Sequence, residues 1–179
     1  QAAAEAAEKK AAAIIVSQEV ELPKQSETTL IRVEDTRYAL AFVSAAWFDH
    51  PAKKLTTIGI TGTKGKTTTT YLVKSILENA GRKVGLVGTI EIIIGDTHIH
   101  AVNTTPESYL LQEYFAKMVE SGCDTVVMEV SSQALMLHRT QGFVFDFGIF
   151  TNLEPDHIGP NEHGSFEEYA HCKSLLFQQ

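Results

Sequence analysis

The chain has 179 residues, 44% of them apolar, and a formal net charge of −7. That is room for one packed domain or one and a part, too apolar for disorder and too acidic for a nucleic-acid-binding surface. No apolar run reaches membrane-spanning length, no secretory leader is visible, and Cys123 and Cys172 have no framework spacing, so a reducing, cytoplasmic setting is expected.

Residues 2–13 are rich in Ala, Glu and Lys and favour a helix. Ile14-Ile15-Val16 and Leu30 to Val33 read as short strands joined by a polar connection. Thr36 to Phe48 reads as a helix, with Leu40, Val43, Ala46 and Trp47 near helical spacing. Asp49-His50-Pro51 stops it. Residues 1–50 thus suggest a small βαβα-like piece, the tail of a preceding domain.

From residue 55 the rhythm lengthens into βα units. A strand over 55–61 meets a Gly-rich turn, and a helix over 66–80 is closed by Gly81. Lys83 to Val87 is a strand, and Glu91 to Ile94 with His98 to Val102 flank a Gly95-Asp96 hairpin turn. Thr104-Thr105-Pro106-Glu107 predicts a helix start, with Thr as cap and Pro at the first helical position. That helix ends at Gly122. Strands follow at Asp124 to Val130 and Phe145 to Phe150. Ser165-Phe166-Glu167-Glu168 is a capping box for a last helix through Phe177. Strands alternating with helices predict an α/β fold with a parallel, doubly wound sheet of the P-loop type.

The turn from Gly62 to Thr68 carries the strongest chemistry. Glycines let backbone N–H groups close on an anion, and the helix that follows adds partial positive charge. Gly62, Thr63, Lys64, Gly65, Lys66, Thr67 and Thr68 are the candidate phosphate cradle. In it Lys66 reaches the outer phosphates and the Thr67 hydroxyl faces a Mg²⁺. The usual motif has a Gly where Ile60 stands, so this turn is tighter.

Glu129 closes an apolar strand, where an acid is costly unless paired or metal-bound; a strand-end Glu reaching solvent is the plainer alternative. Asp156-His157 follows another strand and could supply a metal ligand, although such a pair is more often a solvated turn. His98, His100, His163 and His171 lack zinc spacing. By pattern, Lys173 is an ordinary helical lysine.

Taken together, Gly62-Thr-Lys-Gly-Lys-Thr-Thr, Asn103-Thr-Thr-Pro-Glu107, Glu129-Val-Ser-Ser-Gln-Ala-Leu135 with His138-Arg139, Thr151-Asn-Leu…Asp156-His157, and Tyr169 to Phe177 resemble the Mur ligases. These are ATP-dependent amide-forming enzymes of peptidoglycan precursor synthesis. The closest resemblance is to the branch that adds the third amino acid to a UDP-N-acetylmuramoyl dipeptide, and it covers nearly the whole chain.

The resemblance implies a bacterial cytoplasmic ligase that makes an acyl phosphate with ATP and two Mg²⁺ ions. Its partners are the UDP-linked dipeptide and a free amino acid, with no nucleic acid and no membrane insertion, and a monomer is favoured. Thr67 and Glu129 would hold one Mg²⁺; His157 and Lys173, as its carbamate, would hold the second. Lys66, Lys173 and His157 form the implied catalytic set. Asn103, Thr104, Thr105, Ser131 and Arg139 would contact the muramoyl dipeptide.

The resemblance also reads 1–53 as the end of an N-terminal substrate-binding domain. It reads 54–179 as the first part of a central ATP-binding domain, with the remainder and a C-terminal domain absent, and so implies little turnover by these residues alone. The stretch Asp156 to His163 departs from the family's usual Asp-His-Leu-Asp-Tyr-His. Leu137 stands where some members carry a substrate-binding Gln. The competing readings are a folylpolyglutamate-type synthetase, another P-loop enzyme, and a non-catalytic nucleotide-binding homologue.

Overall fold

The computed structural model describes residues 2–23, 25–160 and 162–178. Helix α1 (Ala2–Glu8) ends five residues sooner than the Ala-rich composition predicts, because Lys10 turns left-handed at φ 59°. Strands β1 (Ala13–Val16) and β2 (Thr29–Arg32) pair in parallel as a sheet of their own. Helix α2 (Thr36–Trp47) follows, so the order here is αββα rather than βαβα. Asp35 caps it by accepting from the N–H groups of Arg37 and Tyr38. A 3-10 turn over Pro51–Lys54 leads into the main unit.

The main sheet has six strands. In chain order come β3 (Thr56–Thr61), helix α3 (Lys66–Asn79), β4 (Val84–Val87), and the hairpin β5 (Glu91–Ile94) and β6 (Thr97–His100). Helix α4 (Ser108–Glu120), β7 (Thr125–Glu129), the short helix α5 (Ser132–Met136), β8 (Phe147–Phe150) and helix α6 (Phe166–Ser174) complete it. The spatial order is β6-β5-β4-β7-β3-β8, with β4, β7, β3 and β8 parallel and the hairpin antiparallel at one edge. The expected parallel α/β sheet is therefore present.

Strand alternation divides the core into two faces. Ile58, Ile60, Val84 and Val127 meet Val73 and Leu77 of α3. The opposite parity, Val126 and Met128, meets Leu111, Phe115 and Met118 of α4, all three fully buried. Each such side chain contributes roughly 1.5–3 kcal/mol of burial. Glu129 shares the parity of Val127, so the pleat sends it to the α3 side, where the cradle lies.

Two predicted boundaries move for a visible reason. Helix α4 begins at Ser108, not at Thr105 or Pro106, and its cap residue is Glu107. The Thr105 hydroxyl is engaged elsewhere, donating to the Glu129 carbonyl (2.9 Å) and accepting from the Ser131 N–H (3.1 Å). The last helix stops at Ser174, and Leu175–Phe177 tighten into a 3-10 turn. Ser165 caps α6 as expected by accepting from the Glu168 N–H, whereas the Glu168 carboxylate takes the N–H of Gly164.

Candidate active site

Parallel strands bring all their carboxyl ends to one edge. Here that edge gathers the turn after β3, Gly88-Thr89 after β4, Ser131 after β7 and Thr151 after β8. Eight predicted residues line one cavity of about 220 Å³, Lys66, Asn103, Thr104, Ser131, Arg139 and Lys173 among them. Thr105 and His157 line it too, with Ser132 and His163.

The cradle is held from both sides. Gly62 sits at φ 145°, and a Cβ there would lie 2.0 Å from the Thr151 hydroxyl. Gly65 caps α3 at φ 82° with open space around it, so what it supplies is the left-handed turn. Thr151 and Asn152 donate to the Lys64 carbonyl, and the Asn152 amide oxygen accepts from the Lys64 N–H. The buried Thr63 hydroxyl donates to the Glu154 carbonyl and accepts from the Glu154 N–H and the Tyr169 hydroxyl. Lys64 pairs outward with Glu154, and Thr68 is exposed on α3. The Thr-Asn-Leu-Glu loop is thus a brace for the turn from Gly62 to Thr68.

Two ammonium groups meet at one carbonyl. Lys66 donates to Gly62 O at 2.9 Å and to Thr63 O at 3.1 Å; Lys173 donates to Gly62 O at 2.8 Å. The ordinary helical lysine of the sequence pattern is in fact 2% exposed. Its ammonium also lies 4.4 Å over the Tyr169 ring. Burial, and then the charge of Lys66, push its pKa down to about 8. Burial also lowers that of Lys66, against the opposing pull of Glu129 and Asp156.

Glu129 is 1% exposed, not a strand-end acid reaching solvent. Its carboxylate accepts from the Thr67 hydroxyl at 2.9 Å, the Thr89 N–H at 2.9 Å and the Thr89 hydroxyl at 3.0 Å. Gly88 makes the notch, since a Cβ there would stand 2.7 Å from Glu129 Oε1. A carboxylate beside a hydroxyl at a helix start is a hard-oxygen set that fits Mg²⁺.

The second implied ion has a thinner set. His157, at φ 54°, pairs its Nδ1 with Glu162 at 3.1 Å. Among the described residues no three His, Cys, Asp or Glu side chains cluster as metal ligands. Lys173 fits a hard cation only after conversion to an oxygen donor. Asp156 turns back on its own chain, accepting from the His157 N–H. Asn161 of the altered loop lies outside the described residues.

On the other wall, Arg139 donates to Thr105 O at 3.1 Å and pairs with Glu107, while its buried Nε has no partner. The Ser131 hydroxyl caps α5 by accepting from the Ala134 N–H. His163 is 1% exposed, bonded through Nε2 to the Ser132 hydroxyl at 2.8 Å, with Nδ1 unpartnered and its pKa lowered by burial. Sequence reasoning gave no role of their own to Thr89, Tyr169 and Ser132, and weighed His163 only as a zinc ligand. A Gly-Thr pair at the end of a buried strand was the available signal for Thr89; none existed for His163, whose burial depends on α5.

A family model, the Mur ligase middle domain, matches residues 60–179. A protein of Clostridium perfringens (strain 13 / Type A), named UDP-N-acetylmuramoyl-L-alanyl-D-glutamate--2,6-diaminopimelate ligase, is 49% identical over 175 residues, which are 98% of this chain and 35% of the relative. A ligase of Clostridium acetobutylicum carrying the same name with the suffix 1 is 50% identical over 170 residues, 94% of this chain and 34% of its own length. The chain spans about a third of the length of these curated relatives. A solved structure of a UDP-N-acetylmuramoyl-L-alanyl-D-glutamate--2,6-diaminopimelate ligase superposes with a TM-score of 0.83 at 27% identity, covering 98% of this chain and 34% of that one. MurF from Acinetobacter baumannii, at 20% identity and a TM-score of 0.51 over 92% of this chain and 31% of its own, shares the fold.

Proposed function

The chain belongs to the Mur ligase family, and we propose that it serves ATP-dependent addition of the third amino acid to UDP-N-acetylmuramoyl-L-alanyl-D-glutamate. The observation that carries this is the single cavity in which Lys66 of the cradle and Lys173 face Asn103, Thr104, Thr105, Ser131 and Arg139. A nucleotide phosphate on one wall and the dipeptide carboxylate on the other would meet there. The relatives' shared name supports 2,6-diaminopimelate as the incoming amine.

In this reading the dipeptide carboxylate attacks the γ-phosphorus of ATP. The bond to the β–γ bridging oxygen breaks, leaving ADP and an acyl phosphate. The amine then attacks the acyl carbon, loses a proton, and phosphate departs. Lys66 offsets charge on the transferring group. Arg139, freed from Glu107, takes a substrate carboxylate with its planar fork. Thr67 and Glu129 would hold Mg²⁺, whose chemistry is charge neutralisation at the phosphates.

Lys173 would carry a carbamate, formed as the neutral amine adds CO₂ and releases a proton. A pKa lowered to about 8 supplies that neutral amine near physiological pH. With His157, the carbamate would complete a second Mg²⁺ site. Residues 1–53 would close a preceding substrate-binding domain, and 54–179 would open the ATP-binding one. The setting would be the bacterial cytoplasm, and the protein a monomer; no helix among the described residues is long and apolar enough to cross a membrane.

The test is a chimera. The chain replaces its matching third of the Clostridium perfringens relative, and phosphate release is followed. Release should require ATP, the UDP-muramoyl dipeptide and diaminopimelate together. Equal release without either co-substrate would overturn the proposal.

A further inference from the structure

Thr89 bridges the Glu129 carboxylate and Thr104, a residue of the cavity wall. Its hydroxyl lies 3.0 Å from Glu129 Oε2 on the nucleotide side and 3.1 Å from the Thr104 hydroxyl on the muramoyl side. Its N–H donates separately to Glu129 Oε1 at 2.9 Å, so the residue stays anchored whichever way the hydroxyl points. A threonine hydroxyl has one proton and can donate to only one of these neighbours at a time.

From this we infer that Thr89 is a positioning residue, a two-way relay that couples the nucleotide and muramoyl sites. With the Glu129 carboxylate free, the Thr89 proton goes to the anion, the stronger acceptor. The 3.1 Å bond between the two hydroxyls is then kept by Thr104 donating back to Thr89, which turns its proton away from the cavity that Thr104 lines. When a cation takes the charge of Oε2, that oxygen weakens as an acceptor. The Thr89 proton swings to Thr104 Oγ1, and the Thr104 proton is released to donate into the cavity. Cation-bound nucleotide therefore prepares a donor for an oxygen of the muramoyl dipeptide. By linkage, the dipeptide tightens the nucleotide by the same factor.

The inference rests on the function proposed above, and a binding test separates the two. In the same chimera, affinity for the UDP-muramoyl dipeptide is measured by calorimetry with and without a saturating non-hydrolysable ATP analogue and Mg²⁺. A tightening of at least about fivefold is expected, in the usual range of coupling between sites. Thr89→Ser, which keeps the hydroxyl, should retain it; Thr89→Val, which keeps shape and N–H, should bring the ratio to about one. Nucleotide without Mg²⁺ should give no tightening. Spatial intermediacy alone does not establish coupling, so the ratio is the deciding quantity. If both ligands bind and Thr89→Val keeps the wild-type ratio, or the wild type shows none, the relay is overturned while the function stands. If neither ligand binds, the function reading falls and the relay with it. The thermal midpoint of each variant checks the fold.

Discussion

Lys66 and Lys173 reach the same carbonyl from opposite ends of the chain's logic. Lys66 belongs to the first turn of α3, four residues from Gly62, and everything that places it is written in one short stretch. Lys173 belongs to the last turn of α6, 111 residues from Gly62. It arrives only because β8, the brace over 151–154 and the Tyr169 hub are all in place. One half of the site is built by local geometry and the other by tertiary packing, so the two halves should fail differently.

The largest effect should come from the distant half. In the chimera, Lys173→Ala is expected to lower ligation by about a hundredfold or more, the scale of a lost transition-state charge partner. Added short carboxylates should restore part of the rate. Full activity without them would remove the carbamate role.

The local half should break as structure rather than as chemistry. Gly62→Ala forces a Cβ toward the Thr151 hydroxyl at a φ that L residues avoid. A loss of about 3 kcal/mol is expected, read from the denaturant midpoint. An unchanged midpoint would mean that the brace yields.

A third measurement sharpens the contrast through pH. Without CO₂, so that Lys173 stays a free amine, its folded-state pKa lies at about 8 against an ordinary 10.5. Between those values the unfolded chain binds more protons, so stability rises with pH through the window. The contribution is absent below about pH 8 and complete above about 10.5. Subtracting the profile of Lys173→Met isolates it; a flat difference across the window would show that the ammonium is not destabilised by its burial. Smallest is Tyr169→Phe. It keeps the ring under Lys173 but loses the bond to Thr63, for about 1 kcal/mol, measurable as a shift in thermal midpoint.

The same contrast governs what could be read from the residues. Strand β3, the turn and α3 fall within a residue of expectation, because Gly, Lys and the helical pattern sit side by side. Glu129 was legible as an unusual acid, since a single charge in an apolar strand stands out. Thr105 misled because a Thr-Pro-Glu run is also a good helix cap, yet its hydroxyl was needed to join β7 to the cavity. Lys173 and His163 carry no local mark of burial. His163 is held through Ser132 of α5 and Lys173 against Gly62 and the Tyr169 ring, tertiary contacts that a one-dimensional pattern does not contain. Ser131 shows a subtler gap: as a helix cap, its hydroxyl already has a structural use.

Strand β3 has one further consequence, for exchange with deuterium. It is laddered on both edges, by β7 and by β8, and five of its six residues are buried. Its amide protons reach solvent only when the sheet as a whole opens. Strand β8 is the last strand of the sheet among the described residues, and its burial pattern is mostly exposed. Its protons should leave earlier, and with them those of the Thr151–Glu154 brace. The turn from Gly62 to Thr68 thus hangs between a slow clock and a fast one, and its root on β3 will still be protonated after its support has begun to exchange.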